Sequence, residues 1–268
     1  MTRDRFARRA GGRRRAPVAA LMVTAAAAVG AAAWLARRQP PVVARLLGRS
    51  PAVVVCVPTR ERAVAVTVDD GPHAELTPEV LRVLERHGAR ATFFFLGAGV
   101  ARHPGLAAAA VAAGHEIGNH GWADRPAVLQ SRAAFRGDLR RTAAVVLAAT
   151  GREPRFVRPG SGWFRPVHLR EVRDAGWTLA LGSVAVLDLR VGDVDREARF
   201  VVDRLQPGAV VVLHEGGTDR AGVVPLLDRV LTAARDRGYR CVTLSELVAE
   251  ADGWAQRPSE GGATSSRS

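Results

Sequence analysis

From Ala63 onward, short apolar runs alternate with longer stretches whose apolar positions recur every three or four residues. AVAVTV (63–68) has the continuity of a buried strand. ATFFFLG (91–97), WTLALGSV (177–184), GAVVVLH (208–214) and YRCVTL (239–244) repeat that signature, and FVRPG (156–160) reads as a short strand running into a loop. LTPEVLRVLERHG (76–88) predicts a helix, with Thr77 as N-cap, Pro78 in the first turn and Gly88 past the end. An alanine-rich helix at 105–113 leads into HEIGNH (115–120), and further helices are predicted at 131–149, 165–175, 195–205 and 223–237. Strands alternating with helices make parallel βα units. Seven or so such units in one domain, 63–250, predict an α/β fold with a closed or nearly closed barrel.

Active sites of such barrels lie at the C-terminal ends of the strands. Asp69, Asp70, His120, Arg158, Asp188 and His214 fall at those ends or just after them. Asp69 and Asp70 are adjacent, and the pleat sends neighbouring side chains to opposite sides unless a turn redirects one. One could then bind a metal while the other stays free as a base; the plain alternative is an Asp-Gly-Pro turn. His120 and Asp124 are four apart in NHGWAD, a spacing that shares one face of a helical turn and lets both ligate one ion. His214 ends an apolar strand, where an imidazole suits general acid work. Arg158 can hold a carboxylate through a bidentate pair. The Gly160-Ser161-Gly162 turn can offer backbone N–H groups to an oxyanion.

The pattern changes at the N-terminus. Ala16 to Ala36 is an uncharged run of 21 residues, enough at about 1.5 Å per residue to cross a hydrocarbon core of about 30 Å. Seven arginines precede it and Arg37 and Arg38 close it. The positive-inside rule puts residues 1–15 in the cytoplasm and the domain outside, at the cell membrane. A signal peptide cleaved at Ala31-Ala32-Ala33 is the rival reading, and its product would be secreted. The length of the run and its closing arginines favour one transmembrane anchor helix. Residues 37–62 read as a linker with Pro40-Pro41 and one short strand, Val53–Val57; residues 251–268 read as a disordered tail.

Charge alters the picture less than its total suggests. The chain of 268 residues carries a formal +13, but nine arginines against one acid in the first 38 residues supply +8 of it. The remainder is diffuse and aromatics make up only 5%, so no basic stripe with stacking residues speaks for nucleic acid. All 39 basic residues are arginine, which excludes Schiff-base, pyridoxal-phosphate and P-loop lysines. Cys56 and Cys241 are too few for a zinc ribbon and sit in apolar runs, as two buried thiols or, outside the cytoplasm, a disulfide.

Five segments together resemble the NodB-homology polysaccharide deacetylases, carbohydrate esterase family 4, over roughly residues 63–248. TVDDGPH is similar to the family's TFDDGP, NHGWAD to the HTxxH type, RPGSG to RPPYG, SVAVLD to SxDxxDW, and VVVLH to the strand that ends in Leu-His. The resemblance implies a distorted (β/α)7 barrel and metal-assisted removal of N-acetyl groups from a glycan such as peptidoglycan or a chitin-like polymer. It implies Asp69 as general base, His214 as general acid, Arg158 as the group orienting the base, and Asp188 as support of the polar network. Asp70, His120 and Asp124 would hold one divalent ion, zinc, manganese or magnesium. Ser161, Gly162 and Leu213 would line the substrate.

Three departures set this chain apart. Asp124 stands where the family has its second histidine ligand, which should favour harder ions such as manganese or magnesium. Ser161 replaces the tyrosine of the third motif. Ala185 and Leu189 replace the first aspartate and the tryptophan of the fourth. Retention of base, acid and arginine favours an active deacetylase. Asp124 and Ala185 keep open a silent glycan-binding barrel, and the altered substrate side keeps open an amidase on a non-sugar substrate. Trp163, just after the third motif, reads either as a sugar platform or as core packing.

Overall fold

A computed structural model describes residues 52–186, 194–216 and 221–251. The expected basic N-terminus and transmembrane helix, most of the linker, the tail and Asp188 lie outside the described residues. Among the described residues, no helix is long and apolar enough to cross a membrane.

In chain order the elements are β1 (Val53–Val54), β2 (Ala63–Asp69), α1 (Leu76–Arg86), β3 (Thr92–Phe95), α2 (Gly97–Arg102), α3 (Pro104–Ala112) and β4 (Glu116–Asn119). Then come α4 (Arg132–Thr150), β5 (Phe156–Val157), α5 (Pro166–Asp174), β6 (Thr178–Ala180), β7 (Val184–Ala185), α6 (Val194–Val202), β8 (Val210–His214), α7 (Val223–Asp236), β9 (Arg240–Val242) and α8 (Leu244–Ala249). Single 3₁₀ turns cover Ala127–Leu129 and Gly160–Gly162.

The strands form one parallel sheet in the order β1-β6-β5-β4-β3-β2-β8-β7, with β9 also paired to β2. The sheet curls into a half-barrel. β6 and β7 stand towards its two ends yet are consecutive in the chain, joined only by residues 181–183.

Alternation along each strand divides the side chains into two sets. Val66 and Val68 of β2, Phe93 and Phe95 of β3, and Val211 and Leu213 of β8 pack outward with α1, α6 and α7 in one buried cluster. Val157 and Leu179 pack with Phe135, Leu139 and Val172 of α4 and α5 in another. The opposite parity gathers Ala63, Ala65, Phe94, Phe156, Ala180 and Val210 into a third cluster on the concave side. Each large side chain so buried contributes about 1.5–3 kcal/mol. Continuing that concave parity to the strand ends selects Asp69, His120, Arg158 and His214.

Four expectations need correction. Val53 and Val54 are fully buried and pair with β6, so the sheet begins inside the expected linker. The run 177–184 does not stay one strand: it breaks after Ala180 and re-pairs with β8 from Val184. The run 239–244 ends at Val242 because Thr243 and Glu246 form a capping box that starts α8. Thr77 does not cap α1; the helix starts at Leu76 and the Thr77 hydroxyl points elsewhere. Both cysteines are free, partly buried thiols, and burial pushes Cys241 up to about 12.

Candidate active site

β2 and β8 run parallel with Asp69 in register with His214, which brings the two side chains to one level. His214 Nε2 lies 3.9 Å from Asp69 Oδ2. The other oxygen, Asp69 Oδ1, accepts from Arg158 Nη1 at 2.6 Å. Both members of that ion pair are buried. Such burial is tolerable only when the remaining donors are also satisfied. Arg158 meets that demand by donating to the Thr67 hydroxyl (2.7 Å) and to the carbonyls of Ala180 (3.1 Å) and Leu181 (3.0 Å). Its guanidinium lies 4.0 Å from the centroid of the Phe94 ring. Burial lowers the Arg158 pKa while the Asp69 charge and hydrogen bond oppose the fall. The expected bidentate grip is therefore a single contact, because the break after β6 turns two carbonyls onto the guanidinium.

A second group forms beside the first. Asp70 has φ of +71°, in the left-handed region, so the turn redirects it instead of sending it to the outer face. His120 Nε2 sits 3.2 Å from Asp70 Oδ1. The ring's other nitrogen, Nδ1, lies 2.8 Å from the Arg158 carbonyl and donates to it. That bond leaves Nε2 to face Asp70, the orientation a metal-ligating histidine takes from its outer partner. Burial opposes a charge on His120, but the Asp69 charge, the Asp70 hydrogen bond and the Asp70 charge outweigh it, and its pKa is raised. The pocket around His120 favours a positive charge.

Asp124 does not join this pair. Residues 122–124 form a bend after Gly121 (φ +82°), not a helical turn, and Asp124 is exposed. Among the described residues, no three His, Cys, Asp or Glu side chains converge on a metal-sized site. The i, i+4 argument fails because it needs a helix. Leu213, expected to line the substrate, is fully buried in the outer cluster, one position out of phase with His214. Ser161 (φ +63°) and Gly162 (φ +71°) form a left-handed turn, and the Gly162 amide donates to the Pro159 carbonyl (2.9 Å). Trp163 follows that turn at 57% exposure, which rules out core packing.

A family model for polysaccharide deacetylase matches residues 57–180. A peptidoglycan-N-acetylglucosamine deacetylase of Bacillus cereus is 34% identical over 194 residues, covering 72% of this chain and 91% of that protein. The chain belongs to the polysaccharide deacetylase family. Its class is that of hydrolases acting on carbon–nitrogen bonds. Two solved family structures bracket its site. One, a CE4 family pseudoenzyme from Bacillus anthracis, superposes with a TM-score of 0.70 at 27% identity, over 75% of this chain and 70% of that one. The other, a family 4 acetyl xylan esterase from Clostridium thermocellum in complex with a cobalt ion, has a TM-score of 0.66 at 29% identity, over 70% of this chain and 90% of that one. The fold thus houses both a silent protein and a metal-bound one, and the side chains must separate the two.

Sequence reasoning passed over several residues that shape this deacetylase site. Thr67 shares the parity of Asp69 on β2 and bonds both Arg158 and the Val211 carbonyl (2.7 Å). Asn119 accepts from the Gly121 amide (2.9 Å) and donates to the Leu139 carbonyl (2.8 Å), fixing the backbone on either side of His120. Glu215 follows His214 and is fully buried. Burial pushes its pKa up to about 8, the Thr77 hydrogen bond opposes the rise, and the Asp70 charge adds to it. The signal for Glu215 was an acid placed directly after an unbroken apolar strand.

Proposed function

We propose that this chain is a divalent-metal-dependent deacetylase that hydrolyses N-acetyl groups on a cell-wall glycan outside the cytoplasm. The observation that carries the reading is the convergence, on the concave side of one strand-end rim, of a buried Asp69–Arg158 pair, His214 and the Asp70–His120 pair. The curled sheet is taken as the family's distorted (β/α)7 barrel, and residues 16–36 as a membrane anchor.

The donor set fits a divalent ion through Asp70 and His120, one oxygen and one nitrogen ligand, with the His120 tautomer fixed by the Arg158 carbonyl. Bound there, the ion would act as a Lewis acid towards the acetamide carbonyl and a water.

The chain's own groups do the rest. Arg158 occupies Asp69 Oδ1, so Oδ2 is the oxygen turned towards His214 and the one able to take a proton from water. The Arg158 hydrogen bond also fixes the orientation of the Asp69 carboxylate. His214, at the same level on the next strand, protonates the departing sugar nitrogen. With the Gly162 amide used inside the turn, the Ser161 amide is the donor for the tetrahedral oxyanion. Trp163, exposed two residues on, offers an aromatic face to the glycan. Acetate and a free amine result.

A silent glycan-binding barrel is the second reading, and the isolated position of Asp124 favours it. One experiment separates the two. The full chain is assayed for acetate release from N-acetylglucosamine oligomers and peptidoglycan with zinc, manganese, magnesium or cobalt, with Asp69→Asn as control. Metal-dependent release that disappears in the control establishes the deacetylase. Glycan binding without release under any metal establishes the silent barrel. Protease accessibility of the domain in intact cells tests the location; protection there would overturn it.

A further inference from the structure

The turn that aims Asp70 at His120 holds a left-handed aspartate, and something must keep it there. Glu215 lies directly against that turn. A Cβ on Gly71 would fall 1.8 Å from Glu215 Oε1, so the carboxyl sits where any other residue at 71 would put its side chain. The Glu215 amide donates to the Asp69 carbonyl at 3.0 Å. Oε1 accepts from the Thr77 hydroxyl at 2.7 Å. Thr77 Oγ1 in turn accepts from the His73 amide at 2.8 Å. Gly216 continues the packing: a Cβ there would lie 2.3 Å from Asp70 Cβ and 2.5 Å from the Asp70 carbonyl oxygen.

One fully buried residue thus ties the end of β8 to both sides of the turn, through its amide to Asp69 before it and through its carboxyl to Thr77, and by way of Thr77 to His73, after it. Its other oxygen, Oε2, is buried and has no hydrogen-bond partner among the described residues. A buried polar group so placed is costly, and no step of the proposed hydrolysis uses it.

We propose that Glu215 is the positioning residue of the metal-ligand turn, holding Asp70 in its left-handed conformation and facing His120 through the Thr77–His73 bridge. The assignment rests on the proposed reading of Asp70 and His120 as metal ligands. Glu215 touches neither substrate nor reacting atoms; it acts through Asp70. The function of the bridge is geometric: an acceptor of the right length at Oε1 suffices. Glu215→Gln keeps that acceptor and that volume, Glu215→Ala removes both, and Thr77→Val removes the donor while keeping the shape.

The test measures manganese, zinc and cobalt affinity of the full chain by calorimetry and amide hydrogen exchange of the segment 69–77. Thermal unfolding is followed as a check on folding. Glu215→Ala and Thr77→Val should weaken metal binding at least tenfold and speed exchange across 69–77 at least tenfold, with exchange in α7 unchanged. Glu215→Gln should stay within twofold of the parent on both readings. If Glu215→Ala fails to fold, Thr77→Val decides alone. Unchanged affinity and exchange in Thr77→Val would overturn the proposal, as would a loss in Glu215→Gln as large as that in Glu215→Ala. A parent chain that binds metal but releases no acetate would sink the deacetylase reading and leave this one standing. A parent that binds no metal would sink the ligand reading, and the exchange measurement alone would then decide on Glu215.

Discussion

The two ends of the half-barrel are both rich in polar side chains, yet they use them differently. At the N-terminal end of the strands, Thr92 and Ser245 donate to Glu116, the Leu244 amide donates to Thr92 Oγ1 (2.8 Å), and the Ser245 amide to Glu116 Oε2 (3.1 Å). Thr243 and Glu246 cap α8 reciprocally, and His115 Nδ1 accepts from the Ala91 amide (3.2 Å). Several of these bonds close on the backbone that begins α8. A cavity of about 270 Å³ opens here, against His115, Glu116, Arg152, Arg155 and Ser245. At the C-terminal end the charged groups face one another instead: Asp69 faces Arg158 and His214, and Asp70 faces His120. A cavity by itself therefore does not mark the chemistry. Polar groups spent on a helix start stabilise; polar groups turned on each other, with a carboxylate oxygen to spare, can do chemistry.

The sharpest way to break this contrast is Asp69→Asn. Turnover should fall by about 10²–10⁴, the range of a general base, with metal affinity kept. Near-normal acetate release would move the base elsewhere and dissolve the distinction between the ends. Asp70→Ala and His120→Ala should instead abolish metal binding, read by calorimetry.

Arg158→Leu probes what the C-terminal end costs in stability. It strands the buried Asp69 charge and leaves the Ala180 and Leu181 carbonyls without their donor. Breaking a buried pair from one side costs about 3–5 kcal/mol. Urea unfolding should show that loss. A change below about 1 kcal/mol would mean that water reaches Asp69 and that the pair is not the closed unit described.

These predictions draw on residues of uneven legibility. Asp69, His120, Arg158 and His214 were readable because strand parity and strand ends are local properties of the chain. Asp70 was readable as the neighbour that a turn must redirect. Thr67 was readable in principle, since it shares the parity of Asp69. The partnership of Glu215 with Thr77 was not, because it joins β8 to α1 across a long sequence separation. The strand start at Val53 was readable, but not its pairing with β6, which joins residues far apart in the chain, and the break after Ala180 is set by pairing with β5 on one side and β8 on the other. The transmembrane run and Asp188 lie outside the described residues and stay with their tests.

The N-terminal end has its own signature in pH. Burial, then the Arg90 charge, lowers the His115 pKa from 6.5 to about 4. The folded state holds this imidazole neutral, while the unfolded chain takes up a proton below about pH 6.5. The stabilisation is thus fully present above about 6.5 and is lost as pH falls towards 4. On the order of 2 kcal/mol should disappear across that window. Urea midpoints at pH 7 and 4.5 check this, with His115→Gln as comparison. A parent and variant that lose stability in parallel would remove His115 as the cause.

The smallest effect is expected at Asp124, and it is the most informative about the metal. A third ligand from NHGWAD requires the carboxylate to come round beside His120, and the bend at residues 122–124 leaves it exposed instead. On the proposed reading, Asp70 and His120 would hold the ion with no third protein ligand among the described residues, leaving positions for water and substrate. Asp124→Ala should then change metal affinity less than twofold. A tenfold loss would show that the bend closes when an ion arrives, with the Asp-His-Asp triad that the residue spacing first suggested. That result would also place the ion in a harder, more anionic shell, and manganese should then outcompete zinc more often than it does at an Asp-His pair alone. Titrating the parent and Asp124→Ala with both ions separates an open two-ligand site from a closing three-ligand one.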